Sequence, residues 1–80
     1  MKEYKHVIFD FLKLDRDINK LVYICAGKTE TGIGFDLGLV CWYEPWNQYV
    51  YQDTSHGFYS ESCLIDIADF VSKINSKMKK

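Results

Sequence analysis

Few side chains in this chain could carry chemistry, and they are widely spaced. Three cysteines (Cys25, Cys41 and Cys63) and two histidines (His6 and His56) are the candidate nucleophiles, bases and soft ligands. An odd cysteine count without a CxxC pair spells out neither a disulfide framework nor a zinc site. Cys63 is the best-placed thiol. It falls in the first turn of an expected helix, where the positive end of the dipole favours the thiolate. It also lies at the edge of that helix's apolar stripe, and burial as a small hydrophobe is the favoured reading. His56 stands beside Asp53, Thr54 and Ser55, a setting for a general base. Yet no nucleophile, base and orienting group can be read together around it, so a solvated loop histidine is the simpler reading. His6, at a strand start, is a weaker candidate still. Gly32-Ile33-Gly34 with Gly38 has the glycine content of a phosphate-binding loop. The chain continues there as a strand, however, so no helix N-terminus meets an anion. No GxSxG, HExxH or Walker pattern occurs. The residues therefore read as non-enzymatic, with no catalytic, cofactor-binding or metal-binding residue assigned.

The aromatic residues give the stronger signal. Trp42, Tyr43, Trp46, Tyr49 and Tyr51 crowd around one expected hairpin. Cross-strand packing is one use for them. Contact with a partner is the other, because Trp and Tyr are the residues that anchor interfaces. Base stacking on a single strand of nucleic acid is an alternative. It is disfavoured by the charge balance, 10 basic against 11 acidic side chains for a net −1, which leaves no basic groove for a phosphate backbone. Gly34-Phe35-Asp36-Leu37 resembles an RNA-recognition strand only superficially, since the basic residue and second exposed aromatic are missing.

The elements that must position these residues follow from the apolar spacing. At 80 residues the chain is one domain, 1–80, and 48% hydrophobic with 16% aromatic content supports a packed core. Residues 4–14 alternate as a strand, with Val7, Phe9 and Phe11 on one face and Ile8, Asp10 and Leu12 on the other. A second strand is expected over 21–26, and a loop over 27–34. The third runs over 35–43, with Phe35, Leu37, Leu39, Cys41 and Tyr43 assigned to the core face and Asp36, Gly38, Val40 and Trp42 to the outer one. Gly38 within that strand predicts a bulge or a close neighbour. Glu44-Pro45-Trp46-Asn47 reads as a turn, with asparagine suited to a left-handed backbone. Residues 48–52 alternate as a fourth strand. A helix follows, capped by Ser60 or Ser62, with Leu64, Ile67, Val71, Ile74 and Met78 on its stripe and Cys63 and Phe70 widening it. Lys73, Lys77, Lys79 and Lys80 suit its C-terminal end.

The segment Trp42-Tyr43-Glu44-Pro45-Trp46-Asn47-Gln48-Tyr49-Val50-Tyr51, followed by the helix start Ser60-Glu61-Ser62-Cys63-Leu64-Ile65-Asp66-Ile67, resembles small proteins of bacteriophages and other mobile elements. These carry a W-Y-x-P-W-x-Q-Y hairpin and then a C-L-x-D-I helix start. Asn47 stands where that family has a basic residue. The resemblance implies origin, fold and a host-directed or defence-related binding role, and carries over no catalytic residue.

The fold expected is α+β: an antiparallel four-stranded meander with one C-terminal helix packed on one face, ββββα. One helix covers one face, so the other is left for contact. The expected contact set is Trp42, Trp46, Tyr49 and Tyr51, with Asp36 at the rim. The function expected is a protein-binding module with no cofactor. A homodimer built on exposed edges or faces is the structural alternative. No apolar run is long enough to cross a membrane and no signal-peptide core is present, so a reducing cytoplasm is the simplest compartment.

Overall fold

A computed structural model describes residues 2–29 and 32–77. The expected loop residues Glu30 and Thr31, and Met78, Lys79 and Lys80 at the helix end, lie outside the described residues. The architecture is α+β, and the sheet has five strands where four were expected. They are β1 (Lys2–Glu3), β2 (Val7–Asp15), β3 (Lys20–Thr29), β4 (Gly32–Tyr43) and β5 (Gln48–Asp53), with α1 spanning Glu61–Lys77. All neighbours are antiparallel in the order β1-β2-β3-β4-β5.

The extra strand arises because the chain turns back at Tyr4, whose N–H donates to the Val7 carbonyl. Lys2 and Glu3 then pair with Phe9 and Ile8. β3 and β4 are longer than expected, because the Thr- and Gly-containing segment expected to be a loop extends the ladder to Thr29↔Gly32. At the β4–β5 turn a short 3-10 segment, Glu44–Trp46, has proline in its first turn, and Asn47 closes it in the left-handed region at φ 53°. That is the conformation asparagine tolerates best among non-glycine residues.

The helix begins where Ser60 accepts the Cys63 N–H at 3.1 Å, which makes Ser60 the N-cap. Its buried side chains are Cys63, Ile67 and Phe70, with Val71 and Ile74 packed beside them. Leu64 is exposed and leaves the expected stripe, because the face centred on Cys63, Ile67 and Phe70 is what meets the sheet. Phe70 stacks on Phe9 with ring centroids 4.1 Å apart and meets Tyr23 edge-on at 5.3 Å. Val7, Phe9, Cys25, Leu37, Val40 and Tyr49 complete the core. Truncating either stacked phenylalanine would cost about 3–5 kcal/mol.

The face assignment for β4 is largely reversed. Val40, expected outside, is fully buried, and Trp42 packs against the core. Leu39 and Cys41 are half-buried, and Tyr43 and Phe35 are exposed. Leu37, inside, and Asp36, exposed on the outer side, keep their expected places. The cause is a bulge. Cys25 pairs with Gly38 while its neighbour Ala26 pairs with Asp36, so Leu37 is an extra residue and the alternation changes phase across it. Gly38 is required there, since a Cβ would lie 2.6 Å from the Tyr51 hydroxyl and closer still to the Gln52 carbonyl oxygen. Both expectations for Gly38, a bulge and a close neighbour, are met.

Candidate functional site

Side chains of paired residues point the same way and successive ones alternate, so the register divides the expected contact residues between two faces. Trp42 pairs with Tyr49 and Val40 with Tyr51, and all four lie on the helix-covered side with the core. Trp42 is half-buried. Its indole N–H donates to the Glu44 carboxylate at 2.6 Å, its ring meets Tyr49 edge-on, and the Lys20 ammonium sits 4.2 Å from its centre. Tyr49 is buried, and its hydroxyl accepts the Leu21 N–H at 3.3 Å. Its own backbone is held by α1: the Asn75 side chain accepts from the Tyr49 N–H at 2.8 Å and donates to the Tyr49 carbonyl at 3.1 Å. That side chain pairs with the outer edge of β5 as a further strand would.

Tyr51 belongs to a half-buried polar chain that ends at the exposed Asp53. Its hydroxyl lies 2.6 Å from that of Tyr59, which in turn donates to Asp53 at 2.6 Å. Tyr59 has one hydroxyl proton, so Tyr51 donates to Tyr59 and Tyr59 to Asp53. Asp53 also accepts from the Ser55 N–H and hydroxyl. The Tyr59 hydrogen bond, ahead of those from Ser55, holds the Asp53 carboxyl below the usual carboxylate range. Burial, reinforced by its neighbours, pushes the Tyr51 phenol far up. These groups satisfy one another and fasten the 53–59 loop to the sheet.

The thiols are not activated. Burial pushes Cys25 up to about 12 and raises Cys41 and Cys63 as well. At Cys63 burial, followed by the nearby Asp66 charge, outweighs the helix N-terminus. His56 occupies the loop at φ 55°. Among the described residues no group of three or more His, Cys, Asp or Glu side chains is placed to hold a metal ion. No helix there is long and apolar enough to cross a membrane.

Of the expected contact residues, Trp46 and Asp36 are the exposed ones, and they lie at opposite ends of β4. Asp36 pairs with Ala26, while Trp46 follows Tyr43 at the far end. Trp46 is 66% exposed and meets Tyr43, itself 42% exposed, edge-on at 5.1 Å. Together with Cys41, Val50, Tyr51 and Gln52 they line a shallow concavity. Tyr43 and Cys41 were missed as site residues because the expected alternation ran without a change of phase past the bulge that Gly38 signals, which put both in the core. The pairing of Cys41 with Val50, and of Tyr43 with Gln48, assigns them to the face opposite the helix. Leu39, Ile24, Ile8 and Ala26 continue that face through Ile24↔Leu39 and Ile8↔Ala26. The site is thus the exposed aromatic pair Tyr43 and Trp46 at one end of a sheet face whose apolar side chains are otherwise buried (Ile8, Ala26) or half-buried (Ile24, Leu39, Cys41, Val50).

No family model, curated protein or solved structure matches the chain.

Proposed function

We propose that this chain is a non-enzymatic binding module of bacteriophage or mobile-element type, acting in the cytoplasm on a host or defence protein through the Tyr43–Trp46 end of its open sheet face. The observation that carries the reading is Trp46, 66% exposed at a turn and held edge-on against a second exposed aromatic. An indole fixed in this way offers a large apolar surface with little conformational entropy left to lose, which is the profile of an interface anchor. The hairpin motif shared with mobile-element proteins supports the origin. The raised thiol pKa values and the internally satisfied Tyr51–Tyr59–Asp53 chain speak against an enzyme centred on Cys63 or His56. Stacking on nucleic acid is disfavoured because the residues lining the concavity beside Trp46 include no cation.

Affinity capture from a bacterial lysate with the wild type, Trp46→Ala and Phe58→Ala tests the proposal. Phe58 is fully exposed away from this concavity and serves as the control. A partner retained by wild type and Phe58→Ala but lost by Trp46→Ala is the expected result. Identical partner sets for all three would remove the aromatic turn as the contact. Tryptophan fluorescence unchanged by oligonucleotides at low salt is expected as well, and quenching there would favour the nucleic-acid alternative.

A further inference from the structure

We propose that the groove between the C-terminal half of α1 and the outer edge of β2 docks a short extended segment of a partner protein, rich in carboxylates and aliphatic side chains. The groove lies on the helix side of the sheet. It is a second contact surface, and it stands whether or not the Tyr43–Trp46 contact does.

Two elements build the groove. Lys2 of β1 and Phe70, Lys73, Ile74, Ser76 and Lys77 of α1 line a space of about 300 Å³. Its floor is apolar, with Phe70 stacked on Phe9 and Ile74 packed against the core. The same floor continues past the cover of the helix. Phe11 follows Phe9 on the same side of β2, is 54% exposed, and meets Tyr23 edge-on at 6.3 Å. Leu14 and Leu21, paired with each other next along the hairpin, are exposed as well. An apolar strip left open in this way marks a contact surface.

The rim is basic. Lys2, Lys73 and Lys77 converge on the groove, and no acidic side chain lines it. Lys73 is paired with Asp69 at 2.9 Å. Among the described residues Lys2 and Lys77 form no ion pair. Complementing the helix dipole accounts for Lys77, but not for Lys2, which arrives from a separate strand.

Beside the groove, the edge of β2 offers backbone groups. Among the described residues β1 reaches along it only to Lys2, opposite Phe9. In an antiparallel ladder, successive residues turn their N–H and C=O to opposite neighbours. Tyr49 turns outward to Asn75. Followed through Cys41↔Val50, Tyr23↔Val40 and Phe11↔Tyr23, this alternation turns Phe11 outward on the far edge. The exposed Asp10 carboxylate meets the Phe11 N–H at 3.0 Å, in the place that the carbonyl of an added strand would take. The register shift between Phe11 and Lys13 keeps the available stretch short.

Together these features select the occupant. Outward backbone groups at a sheet edge suit a peptide strand, not a lipid or a nucleic acid. The floor takes its aliphatic side chains and the lysines take its carboxylates. A second copy meeting this surface about a two-fold axis would bring lysines onto lysines.

Fluorescence anisotropy with a labelled hexapeptide of alternating glutamate and valine tests the proposal. Wild type is expected to bind it saturably below about 1 mM, less tightly as salt is added, and to ignore the lysine–valine counterpart. Lys2→Glu and Lys77→Glu, both at exposed positions, should each weaken binding roughly tenfold or more. Lys13→Glu makes the same charge change on the opposite face, where Lys13 pairs with Val22, and should weaken it far less. Trp46→Ala should bind as wild type does, which separates this surface from the aromatic turn. Of two peptides methylated on alternate backbone nitrogens, one along each edge, only one should bind. Equal affinities of those two would remove strand pairing and overturn the proposal. Absence of binding to the acidic peptide overturns it too, including the case in which wild type binds phosphatidylglycerol vesicles or an oligonucleotide instead. The peptide comparisons use wild type alone, so they decide even if a glutamate variant fails to fold.

Discussion

Replacing Gly38 with alanine adds one methyl group and tests the account of the sheet directly. On strand propensity alone the change should help, because glycine in a strand interior is disfavoured by about 0.5–1 kcal/mol relative to alanine. The structure reverses the sign. The new Cβ would lie 2.6 Å from the Tyr51 hydroxyl and 2.7 Å from its ring carbon, with the Gln52 carbonyl oxygen nearer still. The carbonyl belongs to the paired strand β5 and cannot swing aside as a flexible side chain could. Overpacking of this kind costs about 1–3 kcal/mol. Displacing the Tyr51 ring would also break its hydrogen bond to Tyr59, a further 0.5–1.5 kcal/mol or so. Together the loss is about 2–4 kcal/mol, a large share of the stability of a chain this size. At about 4–8 °C per kcal/mol the midpoint should fall by roughly 8–32 °C in a thermal scan followed by circular dichroism. Gly27→Ala is the matched control, since its Cβ would meet Leu37 Cδ1 at an ordinary 3.7 Å. That variant should unfold at or slightly above the wild-type temperature. A Gly38→Ala protein as stable as the Gly27→Ala protein would refute the claim that Tyr51 and β5 close over this position.

Other expectations follow from the same contacts. Asn75→Ala removes both side-chain hydrogen bonds to Tyr49 and should cost about 1–3 kcal/mol in urea unfolding. Light scattering should also show faster aggregation of that variant, because the β5 edge is uncovered. Asp53 and Asp69 have carboxyls held below the usual range, first by Tyr59 and first by Tyr4 respectively. Their contributions are present above the ordinary carboxylate value near pH 4 and are lost as pH falls through the lower folded-state values. The thermal midpoint of wild type should therefore drop below about pH 4, and Tyr59→Phe and Tyr4→Phe should each show a shallower drop. Equal acid slopes in all three proteins would contradict this. With burial raising the thiols, and Cys25 up to about 12, iodoacetamide at mildly alkaline pH should leave Cys25 and Cys63 unmodified in the native protein. All three cysteines should react after denaturation, and rapid native modification of Cys63 would revive an active-site thiol.

Much of the fold is legible in the residues themselves. The alternation of Val7 and Phe9, the turn chemistry of Pro45 and Asn47, and the Ser60 cap with its following stripe each correspond to an observed feature. β1 was not legible, because two charged residues have no periodicity and pair only after the chain reverses at Tyr4. The larger discrepancy concerns β4. Strict alternation puts Tyr43, Cys41 and Leu39 inside, and only the extra residue at Leu37 moves Val40 and Trp42 there instead. Gly38 hinted at the bulge without indicating which way the phase would turn. The candidate site inherited this reversal, so Tyr49 is a core residue with Trp42 and Tyr51 half-buried against the core, while Tyr43, Cys41 and Val50 join Trp46. Trp46 was identifiable throughout, because a turn indole has no strand face to be assigned to.

The clasp of Asn75 on Tyr49 also sets an order of events during synthesis. All five strands are translated before the residue that guards the last of them. Until that amide has left the ribosome, a growing chain presents a complete meander with one bare flank and an unshielded core. Chains emerge at about 5–20 residues per second, so the interval between Asp53 and Asn75 lasts on the order of seconds. Where neighbouring ribosomes on one message release such half-dressed sheets together, the final helix acts as the stopper against their sticking to one another.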